Sequence, residues 1–261
     1  MSKVFDERLV LNSKTKENII YDEHLVRYIF ASKFVKDKIV LDVACGSGYG
    51  AQILANAGAK EITAIDASEE ALVQARKNNS KENIKYIFGK AEDVKENDQT
   101  FNLIASFETI EHLKPEDHDK FLSELARVLK SDGRLIISTP NKKVFLQKNP
   151  YHLKEYLKDE FTTALNKHFK YCKILEQFNG LASCLTTESE TSQIIMPNNF
   201  EPLYFVAVCS HSELEKINEK NILSINPIAL NNIYNNLKII DKIYSMLVKI
   251  PGVKKLFEII K

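Results

Sequence analysis

Cysteine is scarce in this chain. Cys45, Cys172, Cys184 and Cys209 are the four, and no two stand in a Cys-x-x-Cys pair. A zinc framework therefore lacks its ligand spacing, and sparse, unpaired thiols point to a reducing compartment. Long apolar runs are missing as well. There is no stretch of 18 apolar residues, and residues 1–10 hold no apolar signal region. Neither a membrane-spanning helix nor a secretory signal is expected. Surplus charge is the third absence: 36 Lys and Arg stand against 35 Asp and Glu. This balance argues against a nucleic-acid partner, which would call for a strongly basic face. Together these absences lead us to expect a cytoplasmic protein.

Apolar residues make up 44% of the 261, enough for a large buried core. From Lys38 onward short apolar runs alternate with amphipathic stretches. Strands are expected at Ile39–Val43, Glu61–Asp66, Ile84–Phe88, Phe101–Phe107 and Arg134–Ser138. Helices are expected at Tyr49–Ala57, Glu69–Asn78 and Pro115–Lys130, the last ended by Asp132-Gly133. Such alternation implies a parallel sheet with helices on both faces and its ligand edge at the strand C-termini. After Pro140 a helix at Leu157–Phe169 and strands at Tyr171–Phe178 and Leu203–Cys209 follow, the two strands enclosing a polar stretch, Gly180–Pro202. A hairpin there would make one strand antiparallel. The expected fold is α/β: a Rossmann-like, doubly wound, mostly parallel seven-stranded sheet with an antiparallel C-terminal hairpin strand. The expected division is a lid helix in 1–37 (a helical piece at Glu23–Lys33), a core at 38–212, and a tail at 213–261. Within the tail, residues 221–261 carry six lysines against Asp241 and Glu258, with an apolar side of Ile243, Leu247, Val248 and Ile250. A basic, amphipathic tail suggests docking on a membrane surface or on a second subunit.

The most informative segment runs from Val40 to Gly50, where the first strand turns into the first helix. Gly46 and Gly48 allow backbone N–H groups close to a ligand. Asp42 precedes Gly46 by four residues, and Asp66 follows it by twenty. A carboxylate at Asp42 repels a pyrophosphate but favours an ammonium or sulfonium group. An acid at Asp66 can accept both hydroxyls of a ribose. A ligand with a ribose, positive charge and no phosphate fits, and S-adenosylmethionine is one.

These residues resemble the class I S-adenosylmethionine-dependent methyltransferases. Asp42-x-Ala44-x-Gly46-x-Gly48 is similar to their glycine-rich signature, with Ala44 in place of the first glycine. Gly89-Lys90-Ala91-Glu92-Asp93 resembles their adenine loop, and Ser106 to Leu113 their segment after the fourth strand. The resemblance, over roughly residues 20–210, implies a cofactor set of Asp42, Ala44, Gly46, Gly48, Asp66, Ala67, Ala91, Glu92 and Phe107. Tyr21 and Arg27 of the N-terminal helix would join it. Tyr21–Tyr28 and Asn149–Tyr156 also resemble segments of methyltransferases associated with surface-glycan synthesis.

On the acceptor side, His112 has the right ordinary pKa for a general base, with Glu108 and Glu111 close by. Their i, i+3, i+4 spacing would aim all three one way if the stretch is helical. Glu108, Glu111 and His112, completed by His152, are therefore candidate ligands for Mg²⁺ or Mn²⁺. The expected function is O-methyl transfer to a hydroxyl of a sugar or glycan intermediate. The alternatives are a small-RNA 3′-end ribose methyltransferase, a quinone-type phenol methyltransferase, and a non-catalytic cofactor-binding subunit.

Overall fold

The computed structural model describes residues 19–144, 149–178 and 201–215. The tail from residue 216 and most of the Gly180–Pro202 stretch, two of the sequence expectations, lie outside the described residues.

The helix α1 (Ile19–Ser32) leads into β1 (Ile39–Val43), α2 (Tyr49–Asn56), β2 (Glu61–Asp66), α3 (Glu69–Asn78), β3 (Ile84–Phe88) and β4 (Phe101–Ser106). A 3-10 turn at Ile110–His112 and another at Pro115–Asp117 precede α4 (His118–Val128) and β5 (Leu129–Pro140). The chain continues through α5 (Lys158–Asn166), β6 (Tyr171–Gln177) and β7 (Tyr204–Ser210). The sheet order is β3-β2-β1-β4-β5-β7-β6, with β7 antiparallel to both neighbours.

Central strands are apolar on both faces because helices cover both. Val40, Ile62, Ala64, Leu103, Ala105, Ile136 and Val208 meet Tyr28, Ala31, Leu54 and Leu72 on one side. Leu41, Val43, Ile65, Ile104, Leu135 and Ile137 meet Phe121, Leu125, Phe161 and Leu165 on the other. The ends of α3 follow elementary rules. Ser68 Oγ accepts from Ala71 N at 3.3 Å, acids fill the first turn, and Arg76 and Lys77 fill the last.

The fourth helix is shorter than its apolar stripe suggests. It begins only at His118, after the 3-10 turn. Its C-terminal carbonyls are taken from outside: Gln99 N donates to Arg127 O at 2.9 Å, and Thr100 N to Val128 O at 2.9 Å. This partnering ends the helix at Val128. Leu129 then pairs with Phe101, and Asp132-Gly133 lies in a register shift of β5 rather than at a helix stop.

Candidate active site

Parallel strands β1, β2, β3, β4 and β5 bring their C-terminal ends to one edge. The turn from β1 to α2 is left-handed at three positions: Ala44 (φ 57°), Gly46 (φ 54°) and Gly48 (φ 79°). Only the last two are glycines, so Ala44 holds a conformation that strains an ordinary residue. A Cβ on Gly48 would lie 2.5 Å from Tyr86 Oη, whereas one on Gly46 would meet nothing within 4 Å. Gly48 is thus required by packing, and Gly46 keeps an open approach.

Asp66 ties this loop to β2. Its Oδ2 accepts from Gly46 N and its Oδ1 from Ser68 N, each at 2.8 Å. A carboxylate oxygen has two lone pairs, so both oxygens retain capacity for a ligand hydroxyl. Gly89 N donates to Asp66 O at 3.1 Å, which brings the loop of Ala91 and Glu92 alongside. Ala67 is exposed there, and so is Phe88, in register with Asp66. An aromatic residue in a strand reads as core, so the sequence gives no sign that Phe88 is exposed.

Asp42 is fully buried. Its Oδ1 accepts from Tyr28 Oη at 3.0 Å, while Oδ2 has no hydrogen-bond partner among the described residues. Burial pushes its carboxyl up to about 7, the Tyr28 hydrogen bond opposes this, and the Asp66 charge adds to it. Tyr28 comes from α1 and packs edge-on against Tyr49 and Phe107, with ring centroids at 5.5 and 4.9 Å. Tyr21 lies 6.0 Å from Tyr49. The helix thus covers the glycine-rich turn.

Arg27, also on α1, is 1% exposed. Nε donates to Gln177 Oε1 at 2.8 Å, and Nη1 lies 2.9 Å from Glu108 Oε1 and 3.2 Å from Ser138 Oγ. Nη2 is buried with no hydrogen-bond partner among the described residues. Tyr204 stacks under the guanidinium at 4.3 Å and donates to Glu23 Oε2 at 2.6 Å. Ser138, Gln177 and Tyr204 come from three different strands. Their one signal in the sequence is a polar atom at the end of an apolar strand.

The expected grouping of Glu108 with Glu111 and His112 is corrected here. Glu108 is itself left-handed, with φ 51°, and the turn that follows is 3-10 rather than α-helical. Its carboxylate therefore goes to Arg27 and Ser138. Glu111, His112 and His152 do come together, with one ligand atom from each lying within 4.8 Å of the others. The segment after β5 is sewn onto this turn, since Leu153 N and Lys154 N both donate to Glu111 O, at 2.7 and 3.2 Å. His112 Nδ1 donates to Tyr151 O at 3.1 Å, and His152 Nδ1 to Glu155 Oε1 at 2.7 Å. Neither acceptor carries a proton to give, so in each neutral ring Nε2 holds the lone pair. This is the arrangement by which a protein orients imidazole ligands.

Residues 40–133 match the methyltransferase domain family. The chain is 31% identical over 154 residues to a Mycobacterium tuberculosis protein named "Probable S-adenosylmethionine-dependent methyltransferase", covering 57% of this chain and 54% of that one. It is 33% identical over 120 residues to the ubiquinone biosynthesis O-methyltransferase of Coxiella burnetii, covering 45% and 50%. The chain thus spans about half the length of the curated relatives it matches. Among solved structures, an S-adenosylmethionine-dependent methyltransferase from Archaeoglobus fulgidus superposes with a TM-score of 0.56 at 18% identity, covering 73% of this chain and 93% of that one. The Bacillus YcgJ protein gives 0.55 at 18%, covering 73% and 100%. Residues 40–133 thus match a methyltransferase domain, on the Rossmann-like fold that the chain shares with these solved structures.

Proposed function

We propose that the chain is an S-adenosylmethionine-dependent O-methyltransferase. Its acceptor is one of two vicinal hydroxyls on a sugar or glycan intermediate, with a divalent cation at Glu111, His112 and His152. The observation that carries this reading is the convergence of those three side chains at the sheet edge.

The residues fit the cofactor at both ends. Its amino-acid end is a zwitterion, and a carboxylate oxygen of Asp42 and a guanidinium nitrogen of Arg27 are both buried without a hydrogen-bond partner among the described residues. Asp66 and the Gly46 turn would hold the ribose. Ala67, Ala91 and Glu92 would line the adenine, and Tyr21 and Phe107 would close the apolar side. The bound cofactor supplies a methyl group already activated on a sulfonium. What remains for the protein is to place the acceptor oxygen in line, an effect worth about 7–11 kcal/mol in favourable cases. It must also take the hydroxyl proton. Without a cation, His112 Nε2 would be that base, its ring held by the Tyr151 carbonyl.

A cation at this cluster would bind both hydroxyls and acidify one. With Glu108 engaged elsewhere, the donor set is two imidazoles and one carboxylate. That set suits Mn²⁺ better than Mg²⁺, which prefers oxygen ligands. A second reading, a catechol acceptor in a quinone precursor, draws support from the Coxiella burnetii relative. RNA fits less well, because phosphate contacts need clustered basic residues.

The test is transfer of labelled methyl to sugar nucleotides, lipid-linked glycans, catechols and short RNA, before and after chelation. Glycan-linked diols should be methylated, activity should fall on chelation, and Mn²⁺ should restore it. Removing the third ligand in His152→Ala should raise the Mn²⁺ needed. Full activity in chelator, in both the native chain and His152→Ala, would leave the metal-free His112 base. Transfer to catechols alone would replace the sugar acceptor.

A further inference from the structure

Ser138 is a saturated hydrogen-bond junction with no exposure. Its Oγ accepts from Glu108 N at 3.1 Å and from Arg27 Nη1 at 3.2 Å, and donates to Glu108 Oε1 at 2.6 Å. Both lone pairs and the proton are in use. The junction holds Glu108 by main chain and side chain at once, in a left-handed backbone that costs energy for a non-glycine residue. Two hydrogen bonds carry this geometry onward: His112 N donates to Thr109 O at 3.1 Å, and Leu113 N to Ile110 O at 3.2 Å. Glu111, fully buried, lies in this turn.

The other end of the junction is Arg27. Four of its contacts are made within the protein: Gln177, Ser138, Glu108 and the Tyr204 ring. Its Nη2 is buried without a hydrogen-bond partner among the described residues. A buried guanidinium nitrogen left over in this way calls for an anionic acceptor. On the cofactor assignment above, one guanidinium would face both the cofactor's carboxylate and Glu108, the residue that begins the acceptor turn.

Building on the cofactor assignment above, we propose that Glu108 and Ser138 are positioning residues. They couple occupation of Arg27 by the cofactor carboxylate to the placement of the Glu111–His112 turn, so that the acceptor site is set once the cofactor is seated. Two consequences separate this from a plain structural ion pair. First, only a ligand that carries the amino-acid end can tighten the turn. Second, Glu108 and the cofactor carboxylate share one cation. Neutralising Glu108 leaves the whole charge to the ligand, so cofactor binding holds or strengthens while the turn loses its response.

The experiment is amide hydrogen exchange over residues 107–113, combined with calorimetry. The ligands are S-adenosylhomocysteine, which has the amino-acid end, and methylthioadenosine, which lacks it. In the native chain S-adenosylhomocysteine should slow exchange across the turn severalfold, and methylthioadenosine should bind without doing so. In Glu108→Gln and Ser138→Ala, S-adenosylhomocysteine should bind at least as tightly as in the native chain, with the slowing lost. In turnover, kcat should fall in both variants while KM for the cofactor does not rise. Equal slowing by the two ligands, or slowing retained in both variants, would overturn the coupling and leave the cofactor site standing. Failure of S-adenosylhomocysteine to bind the native chain would overturn both. The two-ligand comparison on the native chain decides the matter even if neither variant folds.

Discussion

At the scale of single residues, Asp42 carries the clearest pH signature. Its carboxyl is raised to about 7, chiefly by burial, from an ordinary value near 4. The native state therefore holds this proton where the unfolded chain has lost it. Asp42 contributes stability below its ordinary pKa, and that contribution declines as pH rises towards 7. Ligand binding runs the other way, since an ammonium group beside Asp42 favours the ionised form. Affinity for S-adenosylhomocysteine should rise with pH and level off above 7, about tenfold weaker at pH 6 than the plateau. Calorimetry in buffers of different ionisation enthalpy should show a proton released below pH 7. Asp42→Asn should bind weakly with this pH step removed. Equal affinity at pH 6 and pH 8 in the native chain would sink the assignment.

At the scale of elements, α1 is held against the site by the fit of Tyr28 over Gly50. A Cβ at position 50 would fall 1.9 Å from the Tyr28 ring, and that ring carries the hydroxyl bound to Asp42. Gly50→Ala must therefore displace the ring. We expect a loss of about 1–3 kcal/mol from overpacking, seen as a lower Tm. Cofactor affinity should fall with it, because Asp42 loses its donor. An unchanged Tm would show that the helix is not pinned there. The strands were readable because five of them combine apolar runs with turn residues: β1, β2 and β3 begin and end where the pattern says. What the pattern missed has physical causes. The start of β5 was hidden behind Asp132-Gly133, which reads as a helix stop but sits in a strand irregularity. The separation of Glu108 from Glu111 and His112 was hidden because spacing tells direction only once the backbone is known to be helical. A left-handed Glu108, selected by contacts from Ser138 on a strand 30 residues away, leaves no local trace. The Ser138–Gln177–Tyr204 support was equally out of reach, as it joins β5, β6 and β7 through tertiary contacts alone.

At the scale of the whole molecule, the proposed cofactor and acceptor determinants interleave along the chain. The matched family region, residues 40–133, contains the glycine-rich turn, Asp66 and the Glu111–His112 turn. Arg27, His152, Gln177 and Tyr204 lie outside it and complete the edge from both flanks. The described sheet ends with β7 at Ser210, and every proposed cofactor residue lies before it. Among the described residues no helix is long and apolar enough to cross a membrane. The basic, apolar-sided sequence of 221–261 is then the segment to test for docking on an anionic surface. Ending the chain at Glu219 should leave affinity for S-adenosylhomocysteine within about twofold, roughly 0.4 kcal/mol. The full chain should float with vesicles rich in acidic lipid at low salt, less so at high salt, where surface charge is screened. The shortened chain should stay with the unbound fraction. Equal flotation of the two forms would assign any vesicle binding to the core. No flotation of either, with a smaller sedimenting species for the shortened chain, would make the tail a contact between subunits.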